Sequence, residues 1–424
     1  METNTNLLYG IDDRPPVGKL FLAALQQLCA VLIATILIPA ICGVPIAPAL
    51  VGAGVGTLIY QLFTKRRSPM FISSAGGFVA AVIGALSLGT APNFTAVVIG
   101  GIMTGLVYTI IGLIIKKVGT NWLNKLLSPV IIGPVVTLIG LNLALFIPTY
   151  FQINNEYSLV GIGIGFIALL AVALFSHYGK GFIRNMPFLA AIVITYIVAL
   201  ILTLTNAAPI IDINVFNNIQ FFQVPDFTFF HVDFINFDWS LLPQVALLYV
   251  PICLVCIAEH IADHKALSAI VGRDLTQYLG DTLIGDGIAS AAGSAICSLN
   301  NTSYGESVGT TGFSRIAYKG VITLTAIFAI ILGFIGPIQA FFASIPSCAF
   351  GGCACILYGY IAISGIKVLT QSNIDYNNNK NLIIIASIFT LGVSGVVLDF
   401  GIISFGTTAL AMIIGIILNL ILRD

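Results

Sequence analysis

Runs of about twenty apolar residues recur from VGKLFLAALQQLCAVLIATILIPAIC near the start of the chain to FGTTALAMIIGIILNLIL near its end, separated by short polar loops. A helix of that length crosses the ~30 Å hydrocarbon core of a bilayer. With 58% of its 424 residues hydrophobic and 8% charged, the chain falls outside the class of soluble globular domains. Recurrence of the runs along the whole length excludes a lone signal segment. The sequence therefore predicts an all-α polytopic membrane protein. METNTNLLYGIDDRPPVGK carries acids and no basic stretch ahead of a cleavage site, and reads as a short retained tail.

A hydropathy walk places segments at about 18–41, 46–63, 71–89, 93–115, 127–147, 158–176, 187–205, 240–262, 282–299, 301–313, 320–343, 346–366, 381–397 and 402–421, fourteen in all. The 17 Lys and Arg test that count. With a cytoplasmic N-terminus they all fall on one side: Arg14 and Lys19; Lys65, Arg66 and Arg67; Lys116, Lys117 and Lys125; Lys180 and Arg184; Lys265 and Arg273; Arg315 and Lys319; Lys367 and Lys380; Arg423. The longest loop on the other side, 206–239, holds Asp212, Asp226, Asp233 and Asp238 with no Lys or Arg. A wrong count would break this alternation downstream, so the pattern predicts fourteen spans in the cell membrane with both termini cytoplasmic. A formal net charge of zero gives no electrostatic case for nucleic acid. The eight cysteines lie almost entirely in apolar segments, so Cys253 and Cys256, despite their CxxC spacing, are expected to be small packing residues, with no disulfide and no metal.

Fourteen spans divide into two sets of seven around the acidic loop. A repeated unit with an odd number of spans inserts with opposite orientations in its two copies, giving 7+7 inverted repeats. The halves share a marker. In the first, LQQLCAVL is followed by MFISSAGGFVAA in the third span; in the second, AEHIADH is followed by LNNTSYGESVGTTG in the tenth. Gln27 to Gly76 is 49 positions and Glu259 to Glu306 is 47. Ser73, Ser74, Gly76 and Gly77 in one break, and Asn300, Asn301, Thr302, Ser303 and Gly305 in the other, favour extended backbone and turns over helix. Unwound backbone at membrane depth must line a cavity or pair with other backbone. A short strand from each half, paired antiparallel, would satisfy both breaks, and matched breaks in two halves point to a binding site near the midplane.

Of the 17 acidic residues, only Glu259, Asp286 and Glu306 lie within spans, with Asp263 one step past the end of its own. A charge at the bilayer centre costs about 3 kcal/mol even on insertion scales, which marks such residues as functional. Glu259 and Asp263 share a helix face, and His260 with His264 shares another about 100° round. His260 and His264 have the spacing of a metal pair, but no third ligand is evident. The bland reading for Asp263 and His264 is a solvated helix end, because Lys265 follows. Glu306 begins a half-helix in TSYGES, and Asp286, near the start of the ninth span, reads as a capping or local-structure residue. Two carboxylates facing broken-helix N–H groups suit a small neutral ligand with alternating N–H and C=O groups; a nucleobase such as uracil has that edge. A carboxylate stripped of water is easier to protonate, and so suits a coupled proton.

AEHIADH, NNTSYGESVGTTGFSR, and the late runs IPSCAFGGCACILYGYIAISGIKVL and IDYNNNKNLIIIASIFTLGVSG resemble the nucleobase/ascorbate transporter (nucleobase:cation symporter) family, over almost the whole chain. The resemblance implies a core domain from residues 1–120 and 240–344 (spans 1–4 and 8–11). It implies a gate domain from 121–205 and 345–424 (spans 5–7 and 12–14) that also forms a homodimer contact, with 206–239 outside the membrane. It implies that Glu259 and Glu306 bind the base, with Gly305, Tyr304 and the third-span break at Gly76 around it. It places proton coupling at Glu259, Asp263 and His264. Departures are visible. Gln26 and Gln27 stand where the family often has Gln-His, Gly76 where an aromatic often sits, Ser307 where Asn follows the Glu, and Asp263 where some permeases have His. Phe78 is the aromatic nearest the lost stacking position.

The expected function is proton-coupled import of uracil by alternating access, without an organic cofactor or metal. The same machine carrying xanthine, uric acid or another purine is the nearest rival. An anion channel or exchanger of this fold would want a basic residue near the ligand, and a membrane-embedded hydrolase would want a nucleophile or metal set; the sequence supplies neither.

Overall fold

The computed structural model describes residues 7–89, 92–120, 122, 128–153, 156–180, 187–217, 219–396, 398–399, 404–405 and 407–422. Lys125, Arg184 and Arg423, three of the basic residues that orient the predicted spans, lie outside them. Helix α1 (Val17–Cys42) starts after the extended Pro16 and stops at Gly43, whose φ of +70° is the left-handed turn that glycine adopts without penalty. Then come α2 (Ile46–Phe63), strand β1 (Ile72–Ser74), a 3-10 turn (Gly76–Phe78), α3 (Val79–Leu86) and α4 (Phe94–Val118). The Asn93 side chain caps α4 by accepting the Ala96 N–H. Helix α5 (Pro129–Leu143) continues through a 3-10 turn into α6 (Ile147–Tyr150), followed by β2 (Gln152–Ile153), β3 (Glu156–Tyr157), α7 (Leu159–Tyr178) and α8 (Pro187–Leu204). After the long loop come α9 (Leu242–Val271), α10 (Leu279–Cys297), β4 (Asn301–Ser303), α11 (Gly305–Ser314), α12 (Lys319–Gly333) and α13 (Gly336–Ser344). The chain closes with α14 (Ser347–Gln371), α15 (Asn379–Val393), β5 (Leu398–Asp399), β6 (Ser404–Phe405) and α16 (Thr407–Ile421).

Among the described residues eight helical segments are long and apolar enough to cross a membrane: α1, α2, α4, α5 with α6, α7, α8, α9 and α14. The other segments expected from the sequence are shorter, broken or more polar. The stretch at 320–343 is not one helix: it breaks at Ile335, extended at φ −85° and ψ 107°, ahead of Pro337 in the first turn of α13. Leu106, Ile110 and Leu113 on α4, and Phe166, Leu170 and Leu174 on α7, form exposed apolar stripes at helical spacing, as a lipid-facing surface requires.

Helix packing sorts into two groups. In one, α10 packs on α4 and α2, α12 packs on α2 and α1, and α9 packs on α4. In the other, α14 packs on α5 and α7, α8 packs on α7, and α15 packs on α16 and α5. Helix α9 also touches α5 and α16, and α1 touches α14, so these two helices face the second group.

Strands β1 and β4 pair antiparallel inside the first group, with Ile72 opposite Ser303, Ser73 opposite Thr302 and Ser74 opposite Asn301. The pairing is extended by Ala75 N–H to the Asn300 carbonyl (2.7 Å) and Tyr304 N–H to the Phe71 carbonyl (3.3 Å). Side chains finish the outer edges, as buried backbone demands. The Thr57 hydroxyl accepts the Ile72 N–H at 3.0 Å and donates to the Ile72 carbonyl at 2.9 Å. The Ser290 hydroxyl donates to the Asn301 carbonyl. The Asn301 side-chain amide donates to the Gly52 carbonyl at 3.0 Å and the Ala289 carbonyl at 3.2 Å, bridging α2 to α10. The helix-poor composition of both breaks thus produces strands because strand pairing and neighbouring side chains take over backbone hydrogen bonds that a helix turn would have provided.

Candidate functional site

The two breaks are locked together before any carboxylate is considered. Tyr304, 5% exposed, donates its hydroxyl hydrogen to the Ser74 carbonyl at 2.7 Å. Ser307, in the first turn of α11, accepts the Phe71 N–H at 3.1 Å and the Gln27 side-chain amide, which also reaches the Ser307 carbonyl at 3.3 Å. Two of the departures from the family pattern therefore meet: Gln27 and Ser307 join α1, β1 and α11 at one buried point.

Glu259 on α9 and Glu306 on α11 are both exposed, although Ile257, His260, Ile261, Ser307 and Val308 beside them are buried. The two carboxylates lie within electrostatic reach of each other, and Asp263 lies within reach of both. Asp263, one turn past Glu259, accepts the Ser303 hydroxyl at 2.8 Å, which ties α9 to the end of β4. Gly305 lies beside it: a Cβ there would stand 3.5 Å from Asp263 Oδ1. The first N–H groups of α11 and of the 76–78 turn have no acceptor within their own helices. Gly305 is exposed and Gly76 half-buried, and both the 76–78 turn and α11 pack on α9, which brings the acceptors on α9 and α11 and the backbone donors at the breaks into one neighbourhood. The exposed positions continue as Ala262 and Ala266 along α9 and as Gly309 and Phe313 along α11, toward the helix ends that carry Lys265 and Arg315. In the other direction, residues 251–258 of α9 are buried or half-buried.

Other predicted residues are placed differently. A Cβ at Gly76 would meet Ile361 of α14 at 3.7 Å and Ile38 of α1 at 3.9 Å, so two aliphatic side chains border the position where the family often has an aromatic. Phe78 is 1% exposed, with its ring 5.8 Å from that of Tyr249. It packs in the wall between the 76–78 turn and α9, and the expected stacking surface is therefore buried. His264 is fully buried on the far face of α9 from Glu259. Its Nδ1 donates to the His260 carbonyl at 2.8 Å, which leaves Nε2 to accept from the Tyr60 hydroxyl (2.9 Å) and the Ser68 hydroxyl (3.2 Å). Of the three predicted proton carriers, Glu259 and Asp263 border the accessible strip and His264 does not.

The sequence profile of the Permease family matches residues 18–400. The chain belongs to the Permease family. It is 36% identical to a uracil permease of Bacillus caldolyticus over 97% of this chain and 94% of that one. It is 35% identical to a uracil permease of Bacillus subtilis (strain 168), over 97% and 94%. It is 32% identical to a uracil permease of Escherichia coli (strain K12), over 99% and 95%. Among solved structures it resembles the transmembrane domain of a cyanobacterium bicarbonate transporter, with a TM-score of 0.65 at 15% identity over 97% of this chain and 99% of that one. It also resembles the murine Solute Carrier 26 family member A9 anion transporter in the inward-facing state, with a TM-score of 0.66 at 11% identity over 96% and 68%. At such identities the likeness concerns the fold alone.

The permease also holds a buried polar cluster around Asp286, in which that residue has the second of the two roles expected for it, local structure. Asp286 is not a cap. Helix α10 begins at Leu279, which sets Asp286 about two turns inside it, 0% exposed, with Oδ2 2.7 Å from His260 Nδ1 and accepting the Thr302 hydroxyl at 3.3 Å. The Thr282 hydroxyl hydrogen goes to the Leu279 carbonyl (3.1 Å), so His260 Nε2, 2.9 Å from Thr282 Oγ1, is the donor there, and a proton is shared across the His260–Asp286 contact. This pair links α9, α10 and β4 directly behind the exposed face of α9. The available signal was the depth of Asp286 itself: a carboxylate two turns into an apolar helix has no free N–H to cap.

Proposed function

We propose that this permease imports uracil together with a proton, Glu259 and Glu306 accepting the base's N–H groups while backbone N–H at Gly305 and near Gly76 donates to its carbonyl oxygens. The observation that carries this reading is the pair of accessible carboxylates, within reach of each other, one in the middle of α9 and one in the first turn of α11, beside two chain breaks joined by buried hydrogen bonds. The relatives named as uracil permeases support the cargo. A neutral base gives an electric field nothing to act on; one accompanying proton moving through 100 mV contributes about 2.3 kcal/mol, roughly fifty-fold accumulation. Glu259 takes that proton and Asp263, held by Ser303, modulates it, whereas His264 serves the packing of α9 against α2.

The first packing group is the core (1–120 and 240–344) and the second the gate (121–205 and 345–424), in fourteen spans arranged as inverted repeats with cytoplasmic termini and dimer contacts through the gates. The accessible strip running toward Lys265 and Arg315 is then an inward-open path, and rocking of α9 and α1 against α5, α14 and α16 alternates access. Labelled uracil uptake into proteoliposomes, with and without an imposed pH gradient, tests the reading in wild type and Glu306→Gln. The amide replaces an acceptor oxygen by a donor and removes a charged hydrogen bond, about 1.5–3 kcal/mol or ten- to a hundredfold in affinity. Uptake at the wild-type level by Glu306→Gln would falsify the site, and preferential competition by xanthine or uric acid would reassign the cargo.

A further inference from the structure

The stretch before α1 is built into the structure below the candidate site. Leu8 N–H and Tyr9 N–H donate to the Arg315 carbonyl at 2.8 and 3.3 Å, Ala317 N–H donates to the Tyr9 carbonyl at 2.9 Å, and Lys319 N–H donates to the Ile11 carbonyl at 3.1 Å. Tyr9 and Ile316 thereby form a parallel bridge, a short strand laid along the link between α11 and α12. Ile11, 7% exposed, enters an apolar cluster with Tyr60 of α2, Ile72 of β1, Leu267 of α9 and Val308 of α11, one residue from each piece that frames the site. Asp12 closes the arrangement with Lys319 Nζ at 2.6 Å and Arg273 at 3.9 Å, and the Lys319 carbonyl accepts the Gln61 side chain of α2 at 3.2 Å. Lys319 holds the Asp12 carboxyl below the ordinary carboxylate range, so the link stays charged near neutral pH.

We propose that residues 8–12 are a strap that fixes the half-helix carrying Glu306 against α2 and α9, with Ile11 and Asp12 as positioning residues for substrate binding. The reason is mechanical. Helix α11 is ten residues long, too short to be stable alone, and its far end at Arg315 closes in the left-handed region (φ +59°) instead of continuing into α12. The hydrogen bonds that the strap makes to Arg315, Ala317 and Lys319 restrain the link that this turn begins. With the strap released, α11 hinges about Tyr304 and Glu306 moves relative to Glu259.

The binding half of this inference rests on the uracil reading; the structural half does not, and one experiment separates them. Hydrogen exchange by mass spectrometry on the full chain in nanodiscs compares wild type with Leu8→Pro, Asp12→Asn and Asp12→Glu. Leu8→Pro deletes one strap N–H at a position whose side chain is 59% exposed. Exchange of residues 305–317 should quicken about tenfold in Leu8→Pro and Asp12→Asn, return toward wild type in Asp12→Glu, and leave α7 and α14 unchanged, with an apparent KM for uracil raised in parallel. No change at 305–317, or a rise shared by α7 and α14, overturns the strap. A wild type that binds no uracil would overturn the cargo and leave the exchange result standing.

Discussion

Gly56 on α2 offers a sharp test of how the β1–β4 pair is held. A Cβ added there would run into the Asn301 side-chain amide, with the amide carbon 3.2 Å away, while the next neighbour, the Ala289 methyl at 3.6 Å, is in ordinary contact. The amide cannot swing aside: it is 0% exposed and bonded to the Gly52 and Ala289 carbonyls at 3.0 and 3.2 Å. In Gly56→Ala it must give up those two bonds, about 1–3 kcal/mol, or force the helices apart, an overpacking cost of about 1–3 kcal/mol. The better helix propensity of alanine returns about 1 kcal/mol, leaving a net loss of up to about 2 kcal/mol. Asn301→Ala alone loses the bonds but has no clash, and in Gly56→Ala/Asn301→Ala the obstruction is gone, so the double variant should be no worse than Asn301→Ala. The apparent melting midpoint of detergent-purified protein, read by size-exclusion after stepwise heating, should fall by up to about 4 °C in Gly56→Ala, taking about 2 °C per kcal/mol for a large chain. The double variant should then lose less than the sum of the two single losses, a coupling of about 2 kcal/mol. If Gly56→Ala melts with wild type, or if the two losses simply add, Asn301 does not occupy the space assigned to it.

Two further outcomes follow from the same buried contacts. Asp286→Ala leaves His260 Nδ1 and the Thr302 hydroxyl without a hydrogen-bond partner in a fully buried place, which should cost about 3 kcal/mol; Asp286→Asn keeps an N–H for Nδ1 and an acceptor oxygen for Thr302 and should lose less than half as much in the same melting assay, and equal losses would mean that His260 does not depend on this contact. Tyr304→Phe removes the 2.7 Å bond to the Ser74 carbonyl, about 1 kcal/mol, and should weaken equilibrium binding of labelled uracil about fivefold at unchanged expression; undiminished affinity would separate the strand junction from the binding site.

The chemistry of this permease is legible in its sequence wherever one residue is out of place by itself. Glu259 and Glu306 stand out because an acid in hydrocarbon is costly whatever surrounds it. The breaks at 72–77 and 300–305 stand out because Ser, Asn and Gly are poor helix formers in any context, and the matched spacing made their pairing foreseeable. Residue type and sequence distance single out Phe78 but carry no information about the direction in which its ring points.

What the tertiary structure alone decided is who meets whom. Gln27 and Ser307 are 280 positions apart, and Tyr60 and His264 are 204 apart. Asp286 became the partner of His260 only because α10 starts early enough to carry it two turns deep beside α9. In a membrane the apolar faces of helices are nearly interchangeable, so periodicity says little about which faces pack. The sequence by itself determined that polar groups had to be satisfied inside the bilayer, because lipid offers no hydrogen bonds. The packing of the helices chose their partners, because a hydrogen bond forms only between groups brought within about 3 Å.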